Sequence, residues 1–273
     1  MTERRPTGSE EWVYESLIRS VPGVNASRRT ALAVQFVAFE AAVLLLGWYH
    51  DRPEAMIAGT VGVLVAVAGS AFMLRLSHGL RANGGPDRYR ELLFGSSIEI
   101  VLGLVSYTLL IVYAIVYDPL PGGETLVADL LGPDPSILYS FVLLMIGWDV
   151  AYRIGVGWWA CVTGLWRSLT TAEGLSAQER RRFARLDAMT VGFASLQLLV
   201  IPVLAGHPIL QAAVLGHVLA VGLVAGVSIH RLRWAFAWGR RPAPVSRGRG
   251  RAAGLLLVVV ALSAAGPQVG IGV

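Results

Sequence analysis

Lysine is absent from this 273-residue chain: its 23 basic residues are all arginine. The absence excludes a lysine Schiff base, a P-loop lysine and a Ser-Lys dyad. A retinal protein, which seven apolar segments would otherwise suggest, lacks the lysine it needs. Cysteine occurs once, at Cys161, so neither an intrachain disulfide nor a cysteine-based zinc site can form. Inside an apolar segment, Cys161 is expected to serve as a small packing residue. Charge of both signs is scarce. Charged residues make up 15% of the chain and hydrophobic residues 55%, where a soluble domain carries about 25% charged, and the mean hydropathy is +0.60. The deficit points to an all-α, polytopic integral membrane helical bundle. In a soluble chain the net charge of +5 would suggest nucleic acid. Here it is read as a topology signal with contact to anionic lipid headgroups, and no nucleic acid is expected.

Seven segments approach the roughly 20 apolar residues that a span needs: Thr30–Tyr49, Ala55–Leu74, Leu93–Tyr117, Ile137–Trp166, Ala188–Leu204, Ile209–Ile229 and Ala252–Val273. The last is Gly-rich and contains Pro267, so six spans are the alternative to seven. The fourth exceeds a bilayer by about two turns and should tilt or protrude. Residues 1–29 form a cytoplasmic N-terminal arm, residues 30–232 a six-helix transmembrane bundle, residues 233–251 an Arg-rich cytoplasmic linker, and residues 252–273 a seventh transmembrane helix. In the arm, Trp12, Leu17, Ile18 and Val21 line one side of a short interfacial helix, with Thr7 and Glu10 at capping-box spacing. No apolar stretch follows the polar N-terminus for about 30 residues, so a cleaved signal peptide is not expected and the first span should target the chain. Ser176 and Glu179 repeat the capping-box spacing and predict a helix running into the fifth span. Leu126–Leu131, between proline-glycine punctuation, predicts a turn or two of helix.

Arginines outside the spans number 5, 1, 4, 0, 5, 0 and 7 in successive loops, with Arg153 left over. The positive-inside rule turns this alternation into a cytoplasmic N-terminus and a multi-pass protein of the cell membrane. The even loops are short or acidic, with Asp118, Glu124, Asp129 and Asp134 in one of them. No internal repeat is found.

The chemistry resides in polar residues at membrane depth. Asp149 and Arg153 sit four residues apart in the fourth segment, on one helix face, with the acid N-terminal to the base. Glu40 lies at the centre of the first span, Glu99 about two turns into the third, Gln197 in the fifth and His217 in the sixth. By residue count, Glu40, Asp149, Gln197 and His217 share a level near the midplane. Ionisable residues at such depth are costly and pair, face the interior or line a water path. One reading is a proton- or cation-linked transport site, with Arg153 holding an acid ionised or binding an anionic group. The other is a structural network, Asp149–Arg153 or Glu99–Arg153, that fixes helix register. Gly222 and Gly226 form a GxxxG and Gly155 and Gly157 a small-residue face, both expected to bring helices close. Trp158, Trp159 and Trp166 are expected at a membrane interface. No cofactor is implied. His50, Asp51, Glu54 and His207 could gather on the outer face, but their spacing matches no metal site, and none is assigned. No HExxH, GxSxG or aspartate-rich magnesium motif occurs, so no catalytic residue is named and a membrane enzyme ranks third.

The stretch WDVAYRIGVGWW (Trp148–Trp159), the WRSL after it and EEWVYESLIRSVPGV near the N-terminus resemble uncharacterised haloarchaeal multi-span membrane proteins grouped as a domain of unknown function. The likeness covers most of residues 10–235. It implies an archaeal cell-membrane location and no activity; the missing lysine and acidic outer loops fit a halophile. The leading functional expectation is a small transporter or channel using Glu40, Glu99 and Asp149–Arg153. The alternative is a non-catalytic assembly or regulatory component whose buried charges are structural.

Overall fold

The computed structural model describes residues 28–83, 86–118, 125–132 and 134–238. Among these every regular element is helical: α1 Arg28–Tyr49, α2 Pro53–Asn83, α3 Asp87–Gly95, α4 Ile98–Val112, α5 Leu126–Leu131, α6 Ile137–Thr170, α7 Ala177–Leu196 and α8 Pro208–Trp238. Six stretches are long and apolar enough to cross a membrane: Leu32–Tyr49, Pro53–Leu80, Asp87–Tyr117, Ile137–Thr170, Ala177–Val200 and Pro208–Trp234. The expected interfacial helix of the arm and the expected seventh helix, 252–273, lie outside the described residues.

Local sequence accounts for where the helices start. Ser176 caps α7 with a complete capping box, its hydroxyl accepting from the Glu179 amide while the Glu179 carboxylate accepts from the Ser176 amide. Ser136 opens α6 and Thr125 opens α5 by the same N-cap chemistry. α8 runs on to Trp238, six residues past the boundary expected at 232.

The third segment is not one helix. It breaks at Ser96–Ser97, where Ser97 adopts a left-handed φ of 52° and the Ser96 hydroxyl bonds the Leu92 carbonyl. Gly95 and two serines are weak helix formers that offer the backbone local alternatives to the helical bond. Glu99 therefore sits in the first turn of α4, not two turns inside a continuous span. Beyond Val112 the helix widens into a π turn, Tyr113–Tyr117.

α6, 34 residues long and so about 51 Å from end to end, is the central strut. It packs on α1, α2, α3, α4, α7 and α8. Its closest approach is to α4, and glycine makes it possible. A Cβ on Gly155 would meet the Gly103 amide nitrogen at 2.6 Å and the Glu99 carbonyl at 2.8 Å, and one on Gly103 would meet the Tyr152 Cα at 2.9 Å. Backbone lies on backbone there, and no side chain can move aside. Gly155→Ala is expected to force α4 and α6 apart at a cost of about 1–3 kcal/mol, read as a lowered unfolding midpoint in detergent. Gly174→Ala, where an added Cβ meets nothing, is the control, and equal midpoints for the two variants would contradict the close approach.

The α8 GxxxG behaves otherwise. Among the described residues nothing lies within 4 Å of a Cβ added at Gly216, Gly222 or Gly226, so these glycines bring none of the described helices close. The expected tryptophan belt is also corrected: Trp158 and Trp159 are buried in the main core cluster, and Trp166 packs against it. The Trp159 indole donates to the Leu92 carbonyl at 3.1 Å, which gives its polar atom a partner away from water. Cys161 is buried and packs near the Val221 carbonyl.

Charged side chains are among the largest buried groups of an otherwise apolar core, and many large apolar side chains face outward. The largest fully buried side chains include Arg153, Arg167 and Glu99, whereas Val34, Val37 and Leu45 of α1, Val101 and Leu109 of α4, and Leu219 and Leu223 of α8 are exposed.

Candidate functional site

Arg153 has zero exposure. Its stem crosses α2 where Gly69 leaves room: a Cβ there would fall 2.5 Å from the Arg153 Cδ and 2.9 Å from Phe193. The guanidinium Nε donates to the Ala66 carbonyl and to the Ser70 hydroxyl at 3.0 Å. Nη1 binds the Asp149 carboxylate at 2.7 Å. The second Asp149 oxygen accepts from Gln35 of α1 at 3.1 Å. One arginine thus ties α6 to α2, and through Asp149 to α1.

Of the two partners expected for Arg153, Asp149 is the one in contact, and among Glu40, Glu99, Asp149, Arg153, Gln197 and His217 only these two are joined. Glu40 accepts from Thr60 of α2 at 2.7 Å. His217 lies against Trp158, ring centroids 6.0 Å apart. Gln197 is buried where α7 passes into a 3-10 turn. Glu99 is fully buried, with no partner on either carboxyl oxygen. Beside the Arg153 network, Gln35, Phe36, Phe39, Val63, Ile146 and Asp149 line a cleft of about 10 Å³, room for at most about one water molecule.

Two further polar clusters went unread in the sequence. Arg167, also with zero exposure, binds Asp187 of α7 at 2.7 Å, and Ser228 of α8 donates to the same carboxylate oxygen at 2.7 Å. The guanidinium carbon lies 4.2 Å from the Phe183 ring centroid and 4.9 Å from that of Tyr89, a stacked arrangement that only the planar arginine head makes. Fourteen residues separate Arg153 from Arg167. At 100° per residue both fall on nearly the same face of α6, about 21 Å apart.

The other cluster is at the opposite end of the bundle. His207, buried, contacts Asp118 through Nδ1 at 2.9 Å and Asp129 through Nε2 at 3.1 Å, fastening the α4 end and α5 to the α7–α8 corner. His50, instead of joining a metal set, contacts Ser136 at 3.3 Å and stacks on Tyr139. Among the described residues no group of three or more His, Cys, Asp or Glu is arranged to hold a metal ion. Burial opposes ionisation of Asp118, but bonds from the Leu126 amide, His207 and Tyr113 outweigh it and hold the carboxyl below its usual range. A carboxyl lowered in the folded state contributes stability above its unfolded value of about 3.9. That contribution is lost as pH falls through the lower folded value. Unfolding midpoints of the wild type are therefore expected to drop along an acid limb that Asp118→Asn flattens; an unchanged limb in D118N would remove the group from the acid transition.

Helices of spanning length, apolar outside and pinned inside by buried arginines, define an all-helical protein with six stretches that could cross a membrane. The chain belongs to a family of unknown function (DUF7530), whose model matches residues 7–228. No curated protein and no solved structure matches it.

Proposed function

We propose that this chain is a multi-pass cell-membrane protein with a cytoplasmic N-terminus, and a non-catalytic assembly or regulatory component whose buried charges brace its helices. The observation that carries this reading is Arg153, sealed at zero exposure and committed to Asp149, Ser70 and a backbone carbonyl, beside a cleft with room for only about one water. A path for a solute needs a charged group that water can reach. The outward-facing leucines and valines are suited to lipid, and the loop arginines to anionic headgroups on the cytoplasmic side. The glycine face of α8, uncovered among the described residues, is suited to close approach by another membrane helix.

Two measurements test the reading. Purified in a mild detergent from its own membrane, the protein is expected to carry a stoichiometric second protein; a stable lone monomer would count against the assembly role. Reconstituted into vesicles, it is expected to pass protons, cations and small anions no faster than empty vesicles do. Flux that Glu40→Gln abolishes would instead establish the second reading, a small transporter or channel using Glu40, Glu99, Asp149 and Arg153. That reading draws on one observation, the absence of any partner on buried Glu99.

A further inference from the structure

Glu99 stands apart from both arginine networks. Its side chain has zero exposure, and neither carboxyl oxygen has a hydrogen-bond partner. It occupies the first turn of α4, directly after the Ser96–Ser97 break in what hydropathy reads as one span. Broken spans expose helix ends inside the bundle, and such ends are where membrane proteins hold small charged species.

An anion in this position would be sealed from water with no counter-cation and no donor near it beyond its own backbone amide, which costs several kcal/mol and is avoided by neutralising the group. The surroundings supply no cation. On α6, the residues against this end of α4 are Tyr152 and Gly155. Arg153 is turned to α2, where it meets Ala66 and Ser70. The charged residues of α3, Asp87, Arg88, Arg90 and Glu91, make no ion pair with it, and the Leu92 carbonyl is already taken by Ser96 and Trp159. A metal cation needs several ligands, and among the described residues no three or more His, Cys, Asp or Glu are grouped to hold one. A proton needs none.

We propose that Glu99 is a proton-binding site, occupied near neutral pH, so that the side chain is held as a neutral carboxylic acid. Two residues away, Ser97 is exposed at the break in the helix, the shortest way to Glu99 from outside the bundle. Loading forms one O–H bond on a Glu99 carboxyl oxygen with a proton taken from hydronium, leaving water, and unloading returns it. The site is independent of the bracing role proposed above: it would stand in a partner protein as well as in a transporter.

Infrared spectroscopy of the full chain in lipid nanodiscs tests it. The wild type near neutral pH is expected to show the carbonyl stretch of a protonated carboxyl. Isotope-labelled glutamate should shift that band, Glu40→Gln should retain it and Glu99→Gln should abolish it. Because glutamine reproduces the shape of the neutral acid, E99Q is also expected to unfold within a few degrees of the wild type. The labelled wild type and E40Q decide the matter even if E99Q does not fold. Absence of a glutamate acid band in the wild type, or its loss in E40Q, overturns the proposal.

Discussion

Arg153→Met is expected to destabilise the fold by about 3–5 kcal/mol, the usual cost of leaving one partner of a buried ion pair uncompensated. The loss exceeds that of any single contact because three elements share the guanidinium: α6 carries it, α2 supplies Ala66 and Ser70, and Asp149 passes its charge to Gln35 on α1. In R153M the Asp149 carboxylate would keep only the Gln35 bond. Asp149→Leu in the R153M background is expected to recover most of the loss, since a buried pair replaced by apolar groups of similar volume is often neutral or stabilising. Unfolding midpoints of the two single variants and the double variant in one detergent give the cycle. A double variant as unstable as R153M would show that the arginine acts through its backbone and serine bonds and that the pair itself contributes little. A mild R153M would show that water reaches the site, which returns weight to a transport role.

How far the sequence could be read depended on whether the signal was local. The capping box at Ser176–Glu179 and the short helix Leu126–Leu131 depend on neighbours three or four residues away, and both are present. Asp149–Arg153 was legible for the same reason, being one turn of one helix. Arg167 was not. It falls just beyond an apolar stretch and so counts as a loop arginine, yet α6 continues through it to Thr170. Asp187 falls just before the next apolar stretch, in an arginine-rich run, and its role depends on α8 bringing Ser228 alongside. One signal was available: Phe183, Ala184, Thr190 and Phe193 are spaced around Asp187 as the buried face of a helix, which sets that acid inward. The His207 cluster left no such trace, because its partners lie 89 and 78 residues away in sequence. Glycine spacing misled in one case and not in the other. Gly155 is crowded by the α4 backbone whereas a Cβ at Gly222 or Gly226 meets nothing among the described residues, and nothing in the spacing separates the two cases.

Asp187→Ala is expected to match the Arg153 variant, at about 3–5 kcal/mol. The substitution leaves Arg167 with zero exposure, its charge opposed only by the faces of Phe183 and Tyr89. Cation–π contact of this kind is worth roughly 0.5–2 kcal/mol, too little to offset a buried unpaired guanidinium. Ser228→Ala should cost far less, about 0.5–1.5 kcal/mol for one hydrogen bond, because Asp187 keeps its arginine. Arg167→Lys belongs between them. The ammonium can reach the carboxylate but cannot lie flat on two rings. The expected order of unfolding midpoints is therefore S228A highest, R167K next and D187A lowest, measured under one set of detergent conditions. Equal midpoints for D187A and S228A would mean that the Arg167–Asp187 pair adds nothing beyond a hydrogen bond. R167K as stable as the wild type would mean that the rings contribute packing and no electrostatics. If the expected order holds, α6 is anchored by charge at two levels on one face, to α1 and α2 through Arg153 and to α7 and α8 through Arg167. The helices around it are then fixed in register by ion pairs in an interior where apolar side chains alone would let them slide.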